Sequence, residues 1–316
     1  MKILVLGWYH NGNLGDEAFK SAFCALWPAI DFTFDNCLIN YQPGVFDGIW
    51  VGGGDLLDGD QFLDLPTDVP IAVIGVGFRN LSAKARALLD RAKVVVVRDK
   101  SSHTEYSRAL LAPHLVFGMP SKHQCFSPRR RVTVLLNDFF NPRSDAPYWT
   151  HTAHRRFVTE FAKVIEHYVE NNYHVVFYPM QTGRVDDRLA AAQVISALKH
   201  PEAVEWVVAP PNENELLRDI SSSELIITQR LHGFVYSVIC GRPCVIISGA
   251  TKMEEMARAI EWPAIIDYYS FTDKMFFSSI ESNTAKLRSY RERSLASWQD
   301  LSVTVLAKFN SSVQTD

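Results

Sequence analysis

Cysteine is sparse and unpaired in this sequence. Five thiols, Cys24, Cys37, Cys125, Cys240 and Cys244, are scattered over 316 residues. An odd count at wide spacing argues against a disulfide framework. Cys240 and Cys244 lack the companion Cys or His ligands of a zinc site, so no metal is expected. The thiols read as free, in a reducing compartment. An excess of positive charge is missing too. The formal net charge is −3, whereas broad nucleic-acid binding needs a basic face. No apolar run approaches the ~20 residues of a membrane span. The chain opens with a single lysine and a short apolar run that passes into a glycine- and asparagine-rich loop, which reads as a strand and not as a leader. The expectation is a cytoplasmic protein without a transmembrane segment. Peripheral membrane contact and oligomeric state are left open. Low-complexity tracts and short repeats are absent as well.

Two common phosphate loops are also missing from the place where one would look for them. After the first strand the sequence reads GWYHNGNLGDEAF from Gly7 to Phe19. Gly7, Gly12 and Gly15 are spaced wrongly for G-x-G-x-x-G, and no Gly-Lys-Ser/Thr follows. Gly12 and Gly15 still permit a tight turn and close backbone approach. Amides at the head of the next helix would face a bound anion. Asn13 lies between the two glycines. Asp16 suits two roles, a helix cap favoured by the macrodipole or a partner for a substrate hydroxyl.

What is present is a regular alternation. Apolar residues make up 47% and charged residues 21% of the chain, enough to pack throughout, and the length suits two domains. Continuous apolar runs at Lys2–Leu6, Gly48–Val51, Pro70–Gly75 and Lys93–Val97 alternate with helical stretches at Glu17–Leu26, Asp60–Asp64 and Ser82–Arg91. Runs without polar alternation mark parallel strands buried on both faces, hence a doubly wound α/β sheet. Met119–Arg131, with Pro120, Pro128 and three consecutive arginines, reads as a linker whose cations suit either solvent or an anion. A second series follows. Strands are expected at Val132–Leu136, His174–Tyr178, Glu205–Val208, Leu225–Thr228 and Pro243–Ile247, and helices at Ala153–Asn171, Asp187–Leu198, Asn212–Ile220 and Phe234–Cys240. The expected division is 1–125 and 126–277 for two such domains, with 278–316 a helical tail that crosses back to brace the first.

In such sheets ligands sit beyond the C-terminal strand ends, so the residues there are the site candidates. Gly52, Gly53, Gly54 and Asp55 follow one strand, and Gly75-Val76-Gly77 another. Arg98-Asp99 follows a third, where Arg98 suits bidentate binding of a phosphate or carboxylate. In the second half Gln181 follows Pro179-Met180. Arg230-Leu231-His232-Gly233 then puts a cation and a titratable imidazole at a probable helix start. Lys252 adds a further cation. Trp8, Tyr9, Tyr148 and Trp149 suit either packing or stacking on a sugar ring.

Taken together, G-W-Y…N-L-G-D-E at 7–17, V-G-G-G-D-L-L at 51–57, G-V-G at 75–77, V-R-D-K-S at 97–101, R-L-H-G at 230–233 and Thr251-Lys252 resemble the polysaccharide pyruvyl transferase family over nearly the whole chain. The resemblance implies two Rossmann-like domains facing a cleft, a GT-B-like fold. It implies transfer of a pyruvyl group from phosphoenolpyruvate to sugar hydroxyls, with phosphoenolpyruvate a co-substrate and no cofactor. The family's arginine and Arg-Leu-His motif fall on Arg98, Arg230 and His232. The first domain is then the acceptor side and the second the donor side. His232 is the candidate general acid and Asp16 or Asp55 the candidate base, the partners being a small-molecule donor and a glycan acceptor. Two other readings stay open: a GT-B glycosyltransferase using a nucleotide sugar, with Glu213 or Glu215 near the ribose, and a noncatalytic carbohydrate-binding protein.

Overall fold

The computed structural model describes residues 1–39, 41–57, 62–119, 129–138, 147–183, 185–249, 251–280 and 284–311. The chain divides into two compact units. One comprises Met1–Asn11, Asp16–Pro120 and Glu292–Asp316, the other Gly12–Gly15 and Ser121–Arg291. The expected boundary at 125/126 lies outside the described residues.

The first unit runs β1 (Lys2–Leu6), α1 (Leu14–Leu26), β2 (Asp31–Asp35), β3 (Gly48–Gly54), β4 (Ile71–Val76), α2 (Ala83–Arg91), β5 (Val94–Val97), α3 (Lys100–Glu105) and β6 (Leu110–Leu111). All six strands are parallel, in the order β2-β1-β3-β4-β5-β6. β3, β4 and β5 are buried along their whole length, as continuous apolar runs require. On one face α2 packs Ala85, Leu88 and Leu89 into the core. Ser82 caps that helix by accepting from the Ala85 N–H at 3.1 Å, as its residue type predicts. Elsewhere in the unit Phe23, Trp27 and Trp50 form a cluster of aromatic rings at centroid spacings of 5.0–6.0 Å.

The second unit runs β7 (Arg129–Leu135), α4 (Tyr148–Glu170), β8 (His174–Phe177), α5 (Asp187–Ser196), β9 (Glu205–Trp206), α6 (Glu213–Ser222), β10 (Ser223–Thr228), α7 (Leu231–Cys240), β11 (Cys244–Ser248), α8 (Thr251–Ile260), β12 (Ile265–Asp267) and α9 (Asp273–Ser279). Its strands are again parallel, in the order β12-β11-β10-β7-β8-β9. α7 buries nearly every residue, as a helix apolar all round must. Two doubly wound sheets are therefore present, as expected.

The last helix, α10 (Ala285–Asn310), enters from the second unit, and from Glu292 onward it belongs to the first. There Trp298 Nε1 donates to the Pro113 carbonyl at 3.0 Å. Trp27 Nε1 donates to the Ser302 carbonyl at 3.0 Å, and the Phe309 ring meets Trp50 edge-on at 5.6 Å.

Several local expectations change. The triple arginine opens β7 instead of forming a linker, and Arg131 is paired with Asp219 at 3.1 Å. It therefore stands at the N-terminal end of its strand, away from the edge where ligands bind. The helix expected at 60–64 is absent over 62–64, and 60–61 lie outside the described residues. The tail expected from 278 starts later, because α9 continues to Ser279. α7 begins three residues before the expected Phe234. β2, β6, β12, α3, α8 and α9 are not among the expected elements.

Candidate functional site

The strand order marks a crevice in the second unit. From β7 the chain proceeds outward to β8 and β9, and from β10 it proceeds the other way to β11 and β12. The loops leaving β7 and β10 diverge, which is the switch point where open α/β sheets bind ligands. Asn137 and Asp138 follow β7; Gln229 and Arg230 follow β10.

Arg230 is the N-cap residue of α7 and makes no side-chain cap bond. Thr228 Oγ1 fixes its backbone, accepting from the Arg230 N–H at 2.9 Å and donating to its carbonyl at 2.9 Å. The helix start sits hard on the sheet: a Cβ at Gly233 would lie 2.3 Å from Thr228 Oγ1. The Arg230 side chain turns to Asp187 in the first turn of α5. Nε donates to Oδ2 at 2.9 Å and Nη2 donates to Oδ1. Nη1 donates to Gln181 Oε1 at 2.9 Å.

Asp187 is 1% exposed. Besides the arginine it accepts from the backbone N–H groups of Met180 at 3.1 Å, Gln181 at 2.9 Å and Asp138 at 3.4 Å. Burial pushes its carboxyl above the ordinary aspartate value, and the Arg230 charge and these hydrogen bonds pull the other way. The anion-binding cation expected at Arg230 is thus an ion pair, oriented by three hydrogen bonds to Asp187 and Gln181 and already partly neutralised.

The opening loop joins this unit. Leu14 N–H donates to the Met180 carbonyl at 2.8 Å and Thr182 N–H donates to the Gly12 carbonyl at 3.1 Å, so Asn13 and Gln181 form an antiparallel bridge. Gly12 takes φ +67°, a conformation that suits glycine. Gly15 lies against His232, where an added Cβ would stand 2.1 Å from Nδ1. Asn13 Oδ1 accepts from the Gly15 N–H at 3.0 Å. Asn13 therefore makes the local cap-like bond at the start of α1, and Asp16 lies within the helix. Gly12, Asn13, Gly15, Gln181, Arg230 and His232 are brought together. Lys252 stands exposed in the first turn of α8, after β11.

The remaining candidates gather in the first unit. Arg98, with a side chain 7% exposed, donates through Nη2 to Asp55 Oδ1, and Asp99 lies 3.9 Å from Nε. Gly77 makes room for them, since a Cβ there would come within 2.8–2.9 Å of Arg98, Asp55 and Asp99. Asp99 Oδ1 also caps α3 by accepting from Ser102 N–H at 2.8 Å. The three-glycine run has an internal packing role. A Cβ at Gly52 would strike Phe23 at 2.4 Å, and one at Gly53 would strike Phe19 at 2.4 Å. Gly53 and Gly54 take φ of +82° and +88°. The Gly54 Cβ position lies 3.5 Å from Asp16 Oδ1, which sets Asp16 near the end of β3.

Of the aromatics, Tyr9 is buried and donates to the Gly52 carbonyl at 2.9 Å. Trp149 is 59% exposed and pairs with Tyr269 at 5.4 Å. Asp187, Gln229, Asn137 and Asp138 escaped the sequence reading as site residues. The Asp186-Asp187 doublet at a helix head was the available signal, but Asp186 takes the cap role and Asp187 the buried one. Among the described residues no group of His, Cys, Asp and Glu side chains is arranged to hold a metal ion, and no helix is long and apolar enough to cross a membrane.

Comparison with solved structures shows which known folds these sheets resemble. A Methanocaldococcus jannaschii UDP-GlcNAc 2-epimerase, solved with UDP-GlcNAc and UDP, is similar over 97% of this chain and 99% of its own, at TM-score 0.61 and 10% identity. S. aureus MnaA with UDP is similar over 99% and 96%, at TM-score 0.60 and 11% identity. The Streptomyces nogalater glycosyltransferase SnogD is similar over 98% and 99%, at TM-score 0.53 and 13% identity. At these identities the likeness speaks for the fold, two Rossmann-like domains of the GT-B-like kind. No curated protein sequence matches the chain. The family model described as polysaccharide pyruvyl transferase matches residues 8–250, a span that holds the Gly12–Gly15 loop, Arg98, Asp187 and the Arg230–His232 turn. The chain belongs to the polysaccharide pyruvyl transferase family.

Proposed function

We propose that the protein transfers the pyruvyl group of phosphoenolpyruvate to two hydroxyls of a sugar residue in a polysaccharide or glycan precursor, forming a pyruvate ketal. The observation that carries this reading is the family match over residues 8–250. The switch-point constellation supports it chemically. Phosphoenolpyruvate offers a phosphate and a carboxylate. Arg230, held in one orientation by Asp187 and Gln181, stands at the head of α7 without capping it through its side chain, where helix amides favour an anion.

His232, in the first turn of the same helix, is the candidate general acid. Protonation of the methylene carbon makes C2 electrophilic, and a sugar hydroxyl adds there and loses its proton to a base. The second hydroxyl displaces phosphate to close the ketal. The net change consumes one phosphoenolpyruvate and one diol and releases one phosphate. Such an acid contributes about 10²–10⁴-fold. Asp16 and Asp55 are the candidate bases.

The test is mass spectrometry of glycan acceptors incubated with phosphoenolpyruvate, looking for pyruvyl addition, with His232→Ala and Arg230→Ala run separately. Unchanged transfer in either folded variant would end the assignment of that residue. Nucleotide-sugar transfer is the second reading, favoured by the UDP-bound structures that share the fold. Against it, Glu215 is engaged in a capping box with Asn212, and Glu213 accepts from Tyr236 Oη at 3.2 Å. Thermal shifts with phosphoenolpyruvate and with nucleotide sugars separate the two: a shift only with the latter favours glycosyl transfer.

A further inference from the structure

The switch point of the second unit holds a buried donor that no described residue satisfies. Gln229 is 2% exposed and lies between the end of β10 and the N-cap Arg230. Its backbone N–H donates to the Leu135 carbonyl at 2.8 Å, and its Oε1 accepts from the Asn137 N–H at 2.9 Å. These two bonds clasp the diverging ends of β7 and β10. Its Nε2 is buried and has no hydrogen-bond partner among the described residues.

Inverting the amide does not relieve this, because the NH2 group would then face the Asn137 N–H, donor against donor. A buried donor left unmet carries a desolvation penalty. The second observation lies next to it. Arg230 caps α7 without a side-chain bond, so no cap from that residue competes for the first-turn amides. Both features sit at the strand edge where this class of sheet takes its ligands. The neighbouring guanidinium is directed into Asp187 and Gln181.

We propose that Gln229 is an oxyanion-binding residue, donating from Nε2 to a phosphate or carboxylate oxygen held at the head of α7 beside Arg230. Giving that oxygen to the donor substrate rests on the pyruvyl-transfer reading; the oxyanion site itself does not.

The test is calorimetric titration of the full chain with inorganic phosphate, pyruvate and phosphoenolpyruvate, for the wild type, Gln229→Glu and Gln229→Met. Glutamate keeps the acceptor for Asn137 and loses the donor; methionine loses both. Both variants are expected to fold and to lose roughly 10- to 100-fold in affinity, the size of one hydrogen bond to a charged group. Weakening of phosphate or of pyruvate identifies which oxygen is held. Three results overturn the proposal: a wild type that binds none of the three anions, affinity retained in both variants, or affinity lost in Gln229→Met and retained in Gln229→Glu. The last assigns Gln229 to the strand clasp alone, as does failure of both variants to fold. Phosphate binding that depends on Gln229 in a protein unable to transfer pyruvyl groups removes the transferase reading and keeps the anion site. Transfer and phosphoenolpyruvate affinity indifferent to Gln229 do the reverse.

Discussion

Gly15 and His232 are in contact so close that the glycine has no room for a methyl group: its Cβ would lie 2.1 Å from Nδ1 and 2.5 Å from Cγ of the imidazole. The residues are 217 positions apart in sequence. Gly15 lies inside α1, where alanine is ordinarily the better helix former by ~1 kcal/mol. The glycine is explained by the imidazole and not by the helix.

Gly15→Ala is accordingly expected to displace the His232 ring. The contact reaches Cγ, near the root of the side chain, so a rotation of the ring tip does not relieve it. If His232 is the proton donor, the variant folds and its transfer rate drops toward that of His232→Ala, about 10²-fold or more. Steady-state transfer with circular dichroism of the folded variant checks this. A Gly15→Ala enzyme as fast as the wild type would show that the imidazole position is immaterial.

The second prediction concerns the brace on the first unit. Trp298 is fully buried, and its indole N–H donates to the Pro113 carbonyl at 3.0 Å. Trp298→Ala removes a large buried ring and leaves that carbonyl without its donor. A loss of about 3–5 kcal/mol is expected. Trp298→Phe keeps most of the ring and is expected to lose less, about 1–2 kcal/mol. Urea denaturation midpoints measure both. Equal midpoints for Trp298→Ala and the wild type would mean that the last helix contributes nothing to this unit.

Much of this architecture was readable because its central strands are buried on both faces. β3, β4 and β5 announce themselves as unbroken apolar runs. β2, written DFTFD, is only partly buried at a sheet edge. Its alternation breaks the pattern by which the others were found. β6 and β12 are too short to carry any pattern. At the site, Gly233 looks like a loop residue in sequence. It stands inside α7 because Thr228 leaves no space for a side chain. The pairing of Asn13 with Gln181 spans 168 positions, and no local signal carries it. Arg98 and Arg230 were legible as cations. That each is held by a carboxylate, Asp55 and Asp187, was not, because the partners come from other strand ends.

The third prediction follows from His154. Its Nε2 meets Gln193 Oε1 at 2.8 Å and its Nδ1 meets Tyr268 Oη at 2.6 Å. Gln193 presents its Oε1, an acceptor, to the ring, so Nε2 carries the proton and Nδ1 accepts from the tyrosine. Burial lowers the imidazole pKa below 6.5, with nearby His151 acting in the same direction and Gln193 and Asp138 opposing. The folded state therefore binds this proton less readily than the unfolded chain. Stability from this group is complete above about pH 6.5 and is lost as pH falls through that value toward the lower folded one. His154→Gln removes the titration, so its melting temperature should decline less than that of the wild type between pH 7 and pH 5. Parallel declines would show that His154 does not contribute to acid sensitivity.

The fourth prediction separates the two halves of the Arg230–Asp187 pair. A guanidinium cannot shed its proton in a protein, whereas a carboxyl can take one. Asp187→Asn leaves Arg230 largely buried without its counter-charge, a loss of about 3–5 kcal/mol, and removes a titrating group from the pair. Arg230→Met leaves Asp187, whose carboxyl burial already pushes upward, and removal of the cation pushes it further. In that variant the folded state holds the proton more tightly than the unfolded chain. Its stability is then greatest below the ordinary aspartate value of 3.8 and falls as pH rises through the interval up to the raised folded value. Denaturation midpoints of both variants across pH 4 to 8 read this directly: Arg230→Met should weaken relative to the wild type as pH rises, while the Asp187→Asn deficit should narrow, because the wild type alone of those two carries the raised carboxyl. If the two deficits run parallel, the proton is not moving onto Asp187, and the pair is held by geometry that neither charge controls.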